Sequence, residues 1–378
     1  MKDGLTDLAS LRILVTHDWL VAWGGAERVL SEILKLVPQA DVVVGVRSNH
    51  WIERHDAVDR ARETWTGALP FARTHHRWFM PLQYFAFSGL NTAQYDLVIS
   101  SSHAFAKAVR PRDGRPHVCY CHSPPRYLWD MAQTYAEHST RTAAAALRVS
   151  TPILRRFDRE SARGVTHFVS NSCFVANRIR ASYDREAQVV YPPVEPKPAR
   201  RHAREEFLLV LGRLVAYKRV DLAIEAAERL RIPLVIAGDG PERARLERLG
   251  GPHTTFLGEV NEATAGDLME RCQALVFCAE EDFGIVPVEA NAHGAPVVAY
   301  ARGGVVESML PGVSAVLFER QTIEDVTEAI EVARSTSWNV AAIRANAGRF
   351  SPARFREEFG SVLRSAVKGA AITKDQDE

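Results

Sequence analysis

Residues 274–299, ALVFCAEEDFGIVPVEANAHGAPVVA, hold the pattern on which the fold prediction depends. The apolar run at Ala274–Phe277 is short and bounded by polar residues, which is typical of a buried strand, and a second such run begins at Pro296. Between the two runs, Pro287 suits the first turn of a helix and Gly294 suits its end. A strand, a helix and a strand in this order predict two parallel strands joined by a crossover helix.

The same alternation of strands and helices runs through the rest of the chain. In the first half we expect strands at 11–16, 41–46, 96–100, 117–121 and 167–170, with a helix at 26–36. In the second half we expect strands at 207–211, 233–237, 255–257, 274–277 and 296–299, with helices at 221–230 and 324–333 and Thr322 as an N-cap. This pattern predicts an α/β protein with two doubly wound parallel sheets.

A proline-rich segment at residues 191–201, which begins YPPVEPKPAR, interrupts the alternation. Its four prolines favour an extended linker. We therefore expect one domain at 1–195, a second at 196–355, and a closing helix with a flexible tail at 356–378. Two doubly wound domains joined in this way would form a cleft that faces the carboxyl ends of both sheets, where small ligands bind.

Composition excludes several other classes of protein. The chain has 378 residues, 46% hydrophobic and 25% charged, with a net charge of +1, which is ordinary for a globular enzyme and gives no reason to expect a nucleic-acid partner. Five scattered cysteines indicate reduced thiols, and Cys119 and Cys121 are interpreted as two small residues on one face of a strand rather than half a metal site. Asp3 and Asp7 do not fit a signal peptide, and no uncharged apolar run reaches about 18 residues. We therefore expect a cytoplasmic protein.

The turn after the strand at 274–277 predicts an anion site. Free backbone amides from Gly284 to Val286 would point out of a helix N-terminus at the carboxyl edge of the sheet. Two acids flank this turn, Glu281 before it and Glu289 inside the helix. An offset of eight positions at about 100° per residue separates them by about 80°, so distinct roles are more natural than a shared proton. Because carboxylates repel a diphosphate, we expect these two to accept hydrogen bonds from sugar hydroxyls.

A second cluster, LGRLVAYKR at 211–219, directly follows a predicted strand. Arg213 and Lys218 could both reach a phosphate there, the arginine as a fork and the lysine as a point charge. A basic turn exposed to solvent is the alternative interpretation.

A third cluster, WGGAE at 23–27, lies at the junction of the first predicted strand with its helix. Gly24 and Gly25 allow a ligand to approach the backbone closely. The pair alone is weak evidence, but its position is typical of a phosphate-facing loop.

Taken together, these motifs identify a resemblance to a known family. The ordered combination GGAE at 24–27, GRLVAYKR at 212–219, GDGPE at 238–242 and EDFG at 281–284, with Glu289 eight residues after Glu281, resembles the retaining GT-B glycosyltransferases of sequence family four. The resemblance covers nearly the whole chain. It implies a GT-B fold, in which two Rossmann-like domains face each other across a cleft, with the nucleotide-sugar donor bound mainly by the second.

The resemblance also implies roles for individual residues. Arg213 and Lys218 would hold the diphosphate, Glu289 the ribose hydroxyls and Glu281 a hydroxyl of the transferred sugar. The implied catalytic residues are His122, Arg213, Lys218 and Glu281. The implied donor-binding residues are Gly24, Gly25, Gly238, Val260, Phe283, Gly284, Ile285, Val286 and Glu289.

His122 lies in the string CYCHSPPRYLWD at 119–130. The family commonly places a histidine near the anomeric carbon, whereas an isolated histidine is more often a hydrogen-bonded structural residue. The part from His122 to Asp130 is also similar to bacterial mannosyltransferase-like enzymes that build O-antigens and exopolysaccharides. That similarity favours GDP-mannose as the donor.

The expected reaction is transfer of a hexose with retained configuration. No carboxylate nucleophile is evident, which fits a dissociative substitution on one face of the sugar, in which Arg213, Lys218 and the helix amides stabilise the departing diphosphate. We expect no cofactor and no metal, since the two cations can replace Mg²⁺ and the only D-x-D, at Asp375 and Asp377, lies in the tail. The alternatives are a GT-B nucleotide-sugar epimerase and a non-catalytic nucleotide-sugar-binding module.

Two segments could concern a glycan or lipid-linked acceptor. Residues 74–90 are rich in aromatics and could line a sugar groove, contact a membrane interface or form a core helix. The four arginines at 155, 156, 159 and 163 could meet a lipid pyrophosphate or an anionic leaflet, or form a solvated face. A peripheral position at the inner face of the plasma membrane is therefore left open.

Overall fold

A computed structural model describes residues 8–21, 23–48, 60–112, 114–130, 141–198 and 203–377, without the side chains of 77, 78, 141–149 and 371–377. The chain divides into two compact units, one formed by Met1–Pro193 with Ala353–Glu378 and the other by Val194–Pro352. The expected boundaries at 195 and 355 lie within three residues of these divisions. Residues 199–201 of the predicted linker lie outside the described ranges.

The first unit contains a seven-stranded sheet whose neighbouring strands are all parallel. Its strands are β1 (Ile13–Leu20), β2 (Asp41–Arg47), β3 (Arg62–Glu63), β4 (Leu97–Ser102), β5 (His117–Cys121), β6 (His167–Ser170) and β7 (Ala187–Val189). They are arranged in the order β3-β2-β1-β4-β5-β6-β7. The order reverses direction between β1 and β4, and ligands of such sheets bind at the carboxyl ends of the strands flanking that switch point.

Four helices of the first unit are α1 (Gly25–Leu36), α2 (Met80–Ser88), α3 (Arg141–Arg163) and α4 (Cys173–Tyr183). The first helix forms where the sequence predicts it, because Val29, Leu30, Ile33 and Leu34 fall on one face and are buried. Its N-cap is Gly24, whose N–H donates to the Glu27 carboxylate at 2.9 Å.

The second unit contains a six-stranded sheet, also parallel throughout. Its strands are β8 (Leu208–Leu211), β9 (Leu234–Ala237), β10 (Thr254–Gly258), β11 (Ala274–Phe277), β12 (Val297–Tyr300) and β13 (Ala315–Phe318), in the order β10-β9-β8-β11-β12-β13. Its helices are α5 (Val220–Leu230), α6 (Arg243–Leu249), α7 (Glu262–Arg271), α8 (Ile285–Ala292), α9 (Val305–Ser308), α10 (Ile323–Ser335) and α11 (Val340–Gly348). The switch point of this sheet lies between β8 and β11.

The last helix, α12 (Pro352–Asp377), packs with the first unit although it follows the second along the chain. Phe355, Phe359 and Leu363 are buried in the same core cluster as β1 and β5 residues. Arg356 also forms an ion pair with Glu32 of α1. The helix continues as far as Asp377, so the end of 356–378, where a flexible tail is expected, is helical in its backbone.

The predicted fold class, two doubly wound Rossmann-like domains, is confirmed. The strands expected at 117–121, 167–170 and 274–277 have those bounds. Sequence patterns missed β3, β7 and β13, which all lie at the edge of a sheet. β3 and β7 have only two and three residues, whereas β13 (AVLF) is as apolar as the predicted strand at Ala274–Phe277. Among the described helices, none is both long enough and apolar enough to cross a membrane.

Candidate active site

In the second unit, Lys218 and Glu281 meet at the switch point of the sheet. Lys218 ends a 3-10 turn in the loop after β8, and Glu281 lies in the loop after β11. The Lys218 Nζ is 3.1 Å from Glu281 Oε1, and the two side chains are only 16% and 18% exposed. The structure therefore brings together two of the four predicted catalytic side chains.

The predicted anion site is the N-terminus of α8. Gly284 caps this helix with φ 77°, a left-handed conformation that glycine adopts without strain. The helix begins at Ile285, so the expectation that Pro287 starts it is wrong by two residues, and Pro287 occupies its third position. The N–H groups of Ile285 and Val286 belong to the first turn, where no intrahelical acceptor exists. They are available to an anion.

The neighbouring predicted donor residues occupy the same edge of the sheet. Phe283 is buried against Phe350, with ring centroids 5.3 Å apart, and Glu289 is half-buried in α8. Val260 lies between the end of β10 and the N-cap of α7. Arg213 is exposed five residues before Lys218 and makes no hydrogen bond or ion pair with any described residue.

Gly238 has a structural reason to be glycine. It follows β9 with φ 144°, and a Cβ at this position would lie 2.0 Å from the carbonyl oxygen of Gly212. The loops after β8 and β9 can pack only because Gly238 has no side chain. Its predicted contact with the donor stays a prediction.

Sequence reasoning missed Gly303 and Gly304, which follow β12. The Gly304 N–H donates to the carbonyl oxygen of Glu281 at 2.9 Å, and the backbones of Gly303 and Glu281 form an isolated parallel β-bridge. Ser308 Oγ donates to the carbonyl oxygen of Phe283 at 3.3 Å. The backbone of the turn that carries Glu281 is thus held by the next loop. The signal was a glycine pair in the loop after a predicted strand, as at Gly24 and Gly25.

In the first unit, His122 follows β5 and is hydrogen-bonded. Its Nε2 lies 2.8 Å from Ser101 Oγ, and the same hydroxyl lies 3.0 Å from Nδ1 of His17. Burial, together with the charges of the nearby His103 and His17, lowers the pKa of His122 well below its ordinary value of 6.5. The imidazole of His122 is therefore neutral near pH 7.

The predicted glycine turn belongs to the same cluster. Glu27 Oε2 accepts from the Gly24 N–H, and Glu27 Oε1 lies 3.8 Å from His17 Nε2. Gly25 is the first residue of α1. Contacts of Glu27, His17 and Ser101 thus connect Gly24 with His122.

Asp18, next to His17 on β1, is completely buried and fixes the loop after β4. Its carboxylate accepts four backbone N–H groups at 2.6–2.9 Å, from His103 and the three residues that follow. Although burial raises the pKa of Asp18, the charges of His103 and His17 and these hydrogen bonds bring it below its ordinary value. Sequence reasoning missed this cluster. The available signal was polar residues, H-D and S-S-H, at the ends of two predicted strands.

The aromatic segment at 74–90, which could concern the acceptor, contains helix α2, and this helix is partly buried and partly exposed. Helix α2 buries Tyr84 and Phe87 but exposes 39% of Leu82 and 51% of Phe85, so it is in part a core helix.

Three of the four arginines of the basic run contact other residues of the first unit. The guanidinium groups of Arg155 and Arg159 lie 5.2 and 4.8 Å from the ring centroid of Trp129, and Arg163 pairs with Glu160 at 2.8 Å.

In the ranges that the structure describes, no three His, Cys, Asp or Glu side chains are grouped so that they could hold a metal ion.

Comparison with known families agrees with this arrangement. Residues 23–197 match the model of Glycosyltransferase Family 4, and residues 194–347 match that of glycosyl transferases group 1. Two Rossmann-like units with a polar site at each switch point and these two matches define the GT-B class of glycosyltransferases. The chain belongs to the family-four group within that class.

Individual relatives are similar over part of the chain. Human alpha-1,3/1,6-mannosyltransferase ALG2 is 24% identical over 275 residues, which cover 64% of this chain and 63% of that protein. The O-antigen chain mannosyltransferase C of Escherichia coli is 32% identical over 101 residues, covering 25% of this chain and 27% of that protein. The chain thus spans less than two thirds of the length of these relatives.

A solved structure extends the likeness to the whole fold. Anabaena HepE in complex with UDP superimposes with a TM-score of 0.67 at 20% identity, covering 94% of this chain and 100% of that one. At this identity the likeness establishes the fold alone.

Proposed function

We propose that this protein transfers a hexose, with retained configuration, from a nucleotide-sugar to a hydroxyl of a glycan or lipid-linked sugar. The observation that carries the proposal is the contact between Lys218 and Glu281 at the switch point of the second sheet, beside the N-terminus of α8. At this edge of the sheet, the cation suits the diphosphate and the carboxylate suits the sugar hydroxyls. The free amides suit the oxygen that leaves with the diphosphate.

Charge develops on the diphosphate as its bond to the sugar breaks. Lys218, Arg213 and the N–H groups of Ile285 and Val286 would stabilise that charge electrostatically. Glu281 would accept a hydrogen bond from a hydroxyl of the transferred sugar while Lys218 offsets its repulsion from the phosphates. Glu289 would accept hydrogen bonds from the ribose.

We propose GDP-mannose as the donor. Support comes from the segment between His122 and Asp130 and from two relatives whose names specify mannosyl transfer. HepE is named as a complex with UDP, so UDP-sugars are the competitors to test.

Thermal-shift measurements with GDP, UDP, ADP and TDP and their sugars identify the donor. A ligand at one hundred times its dissociation constant stabilises the folded chain by about 2.7 kcal/mol. We expect the largest increase in Tm with GDP-mannose. A larger shift with a UDP-sugar would replace the donor assignment and leave the transferase proposal standing.

Incubation of labelled GDP-mannose with a panel of mannosyl acceptors then tests the reaction. The proposal predicts that the label moves to the acceptor in the α configuration of the donor, which NMR of the anomeric proton detects. Conversion of the donor to its epimer would indicate an epimerase, and binding without turnover would indicate a binding module.

We also propose that no metal is needed, because Arg213 and Lys218 supply the positive charge. Turnover that survives excess EDTA supports this view, whereas loss of turnover with EDTA and its recovery with Mg²⁺ would overturn it.

We further propose that the protein works in the cytoplasm, at the inner face of the plasma membrane when the acceptor is lipid-linked. The exposed Leu82 and Phe85 of α2 support this placement. Co-sedimentation with vesicles of anionic phospholipid tests it: binding that is unchanged in a Leu82→Ser, Phe85→Ser variant would remove α2 as the contact.

A further inference from the structure

The cluster at the switch point of the first sheet buries more polar groups than the fold requires. His17 on β1 and Ser101 on β4 are both completely buried, and the residues are direct partners in the parallel ladder. Their main chains are already satisfied by the sheet. Burying polar side chains costs free energy unless they are hydrogen-bonded, and here the Ser101 hydroxyl contacts both His17 and His122, so it links the buried pair to the half-buried histidine.

The positions of the protons follow from the contacts. His17 Nδ1 lies 3.1 Å from the backbone carbonyl oxygen of Ser101 as well as 3.0 Å from its Oγ. A carbonyl oxygen can only accept, so His17 Nδ1 carries a proton and donates. The Ser101 hydroxyl oxygen accepts a hydrogen bond from His17 Nδ1–H, and the hydroxyl proton remains available for donation to another acceptor. Its remaining partner is His122 Nε2, at 2.8 Å.

The ring nitrogen of His122 that contacts Ser101 is therefore an acceptor, and a neutral His122 carries its single proton on Nδ1. His122 is half-buried, and its Nδ1 forms no hydrogen bond with any residue that the structure describes.

We propose that Ser101 and His17 are positioning residues that hold His122 as the Nδ1–H tautomer, so that His122 meets the substrate as a hydrogen-bond donor and not as a base. The proposal rests on the proposed glycosyl transfer. Its consequence for that reaction is that His122 binds an oxygen of the sugar or phosphate. The proton of the acceptor hydroxyl then passes to an oxygen of the departing diphosphate.

Glu27 extends the arrangement to the glycine turn. One carboxylate oxygen accepts the Gly24 N–H, and the other lies 3.8 Å from His17 Nε2, beyond hydrogen-bond distance, so Glu27 holds the turn and lies beside His17 without bonding to it. His103 also packs against the rings of both His17 and His122, Tyr120 packs against His122, and Asp18 lies 3.4 Å from His103.

NMR on the full chain labelled with ¹⁵N-histidine tests the proposal directly. Long-range proton–nitrogen correlations distinguish a protonated ring nitrogen from an unprotonated one. We expect His122 to show a protonated Nδ1 and an unprotonated Nε2 at pH 7.5. In Ser101→Ala we expect the Nε2–H form to appear, and in Ser101→Thr, which keeps a hydroxyl, we expect the wild-type pattern.

Ser100→Ala is the matched control. Ser100 Oγ makes an equivalent buried contact with His117 Nε2 at 2.8 Å, and the neighbouring position on β4 directs it to the other face of the sheet. This variant loses the same kind of hydrogen bond but should leave the His122 signals unchanged.

Kinetics supply the second readout. Ser101→Ala should lower kcat about tenfold, the equivalent of one hydrogen bond, with little change in the KM of the donor. Asparagine presents an N–H close to the position of Nδ1, so His122→Asn should retain more activity than His122→Gln.

An Nε2–H tautomer in the wild type, or identical His122 spectra in wild type and Ser101→Ala, would overturn the proposal. If Ser101→Ala does not fold, the wild-type and Ser101→Thr spectra still decide the tautomer. A protein that shows the expected tautomer but transfers no sugar would refute the proposed function and leave the arrangement of protons intact.

Discussion

At the residue scale, the proposed donor site depends on Lys218, whose Nζ lies 3.1 Å from Glu281 Oε1. Replacement by alanine should leave the fold intact because the side chain packs in a loop, yet it removes a preorganised charge from the leaving group. We expect Lys218→Ala to reduce kcat by about 10² to 10³. Initial rates with the identified donor measure the change.

Arg229→Ala is the control for this substitution, since it removes a cation from an exposed ion pair with Glu324 elsewhere in the same unit. Glu281→Ala should also abolish turnover with folding intact. Unchanged rates in both Lys218→Ala and Glu281→Ala would defeat the site assignment.

A second residue-scale prediction concerns the buried pair of Lys107 and Asp158. Their side chains are 1% and 0% exposed, with Nζ and Oδ1 2.7 Å apart, and Asp158 also accepts from Trp129 Nε1 and the Tyr183 hydroxyl. Asp158→Asn would leave the lysine charge buried without its partner. We expect the free energy of unfolding to fall by about 3–5 kcal/mol.

Urea denaturation monitored by tryptophan fluorescence measures this loss. A decrease under about 1 kcal/mol, comparable with that of an exposed pair, would show that the pair does not stabilise the fold as its burial indicates.

At the element scale, His117 joins β5 to β4 through its contact with Ser100 at 2.8 Å, and the burial of its imidazole makes stability depend on pH. Burial lowers the pKa of His117 from 6.5 to about 3. The folded chain therefore keeps this imidazole neutral, whereas the unfolded chain binds a proton below pH 6.5. The stabilisation is complete above pH 6.5 and is lost as the pH falls toward 3, at about 1.4 kcal/mol per pH unit.

Denaturation of wild type and His117→Gln between pH 7 and pH 4 measures this slope. The other titrating groups contribute to both proteins, so the difference between the two curves isolates His117. Parallel curves would contradict the prediction.

At the scale of the whole molecule, the order of elements along the chain differs from their distribution between the two units. The last helix returns to the first unit, where Phe359 is completely buried in the core. We expect Phe359→Ala to destabilise the first unit by about 3–5 kcal/mol and to leave the second unit unchanged.

Hydrogen exchange resolved by segment can assign this loss, because the amides of β1 and β5 should exchange faster while those of β8 and β11 keep their protection. Val332→Ala, at an exposed position of α10 in the second unit, is the control. Equal loss of protection in both sheets would show that the units unfold together.

Most interior elements of the fold could be predicted from local pattern. The strand at Ala274–Phe277 and the helix from Ile323, with its Thr322 cap, are determined by short runs of sequence. The edge strands β3 and β7 were not predicted, because two or three residues are too few to show a strand pattern.

The candidate site also has parts that local motifs predict and parts that they do not. Motifs such as GRLVAYKR and EDFG identify loops at strand ends, and Lys218 with Glu281 lies where they predict. The cluster of His17, Asp18, Ser101 and His122 was predicted only in part, through His122, because its members are separated by up to 105 positions and meet through the pairing of β1, β4 and β5.

The sequence by itself determined the alternation of strands and helices, the resemblance to a family and the composition of the loops proposed to bind the donor, since each of these depends on residues close together in the chain. Only the tertiary structure decided which unit contains the last helix, which residues hold His122, and that Gly238 is needed for the contact with Gly212. The physical reason is that strand order, helix docking and hydrogen bonds between distant residues depend on contacts that no local periodicity records.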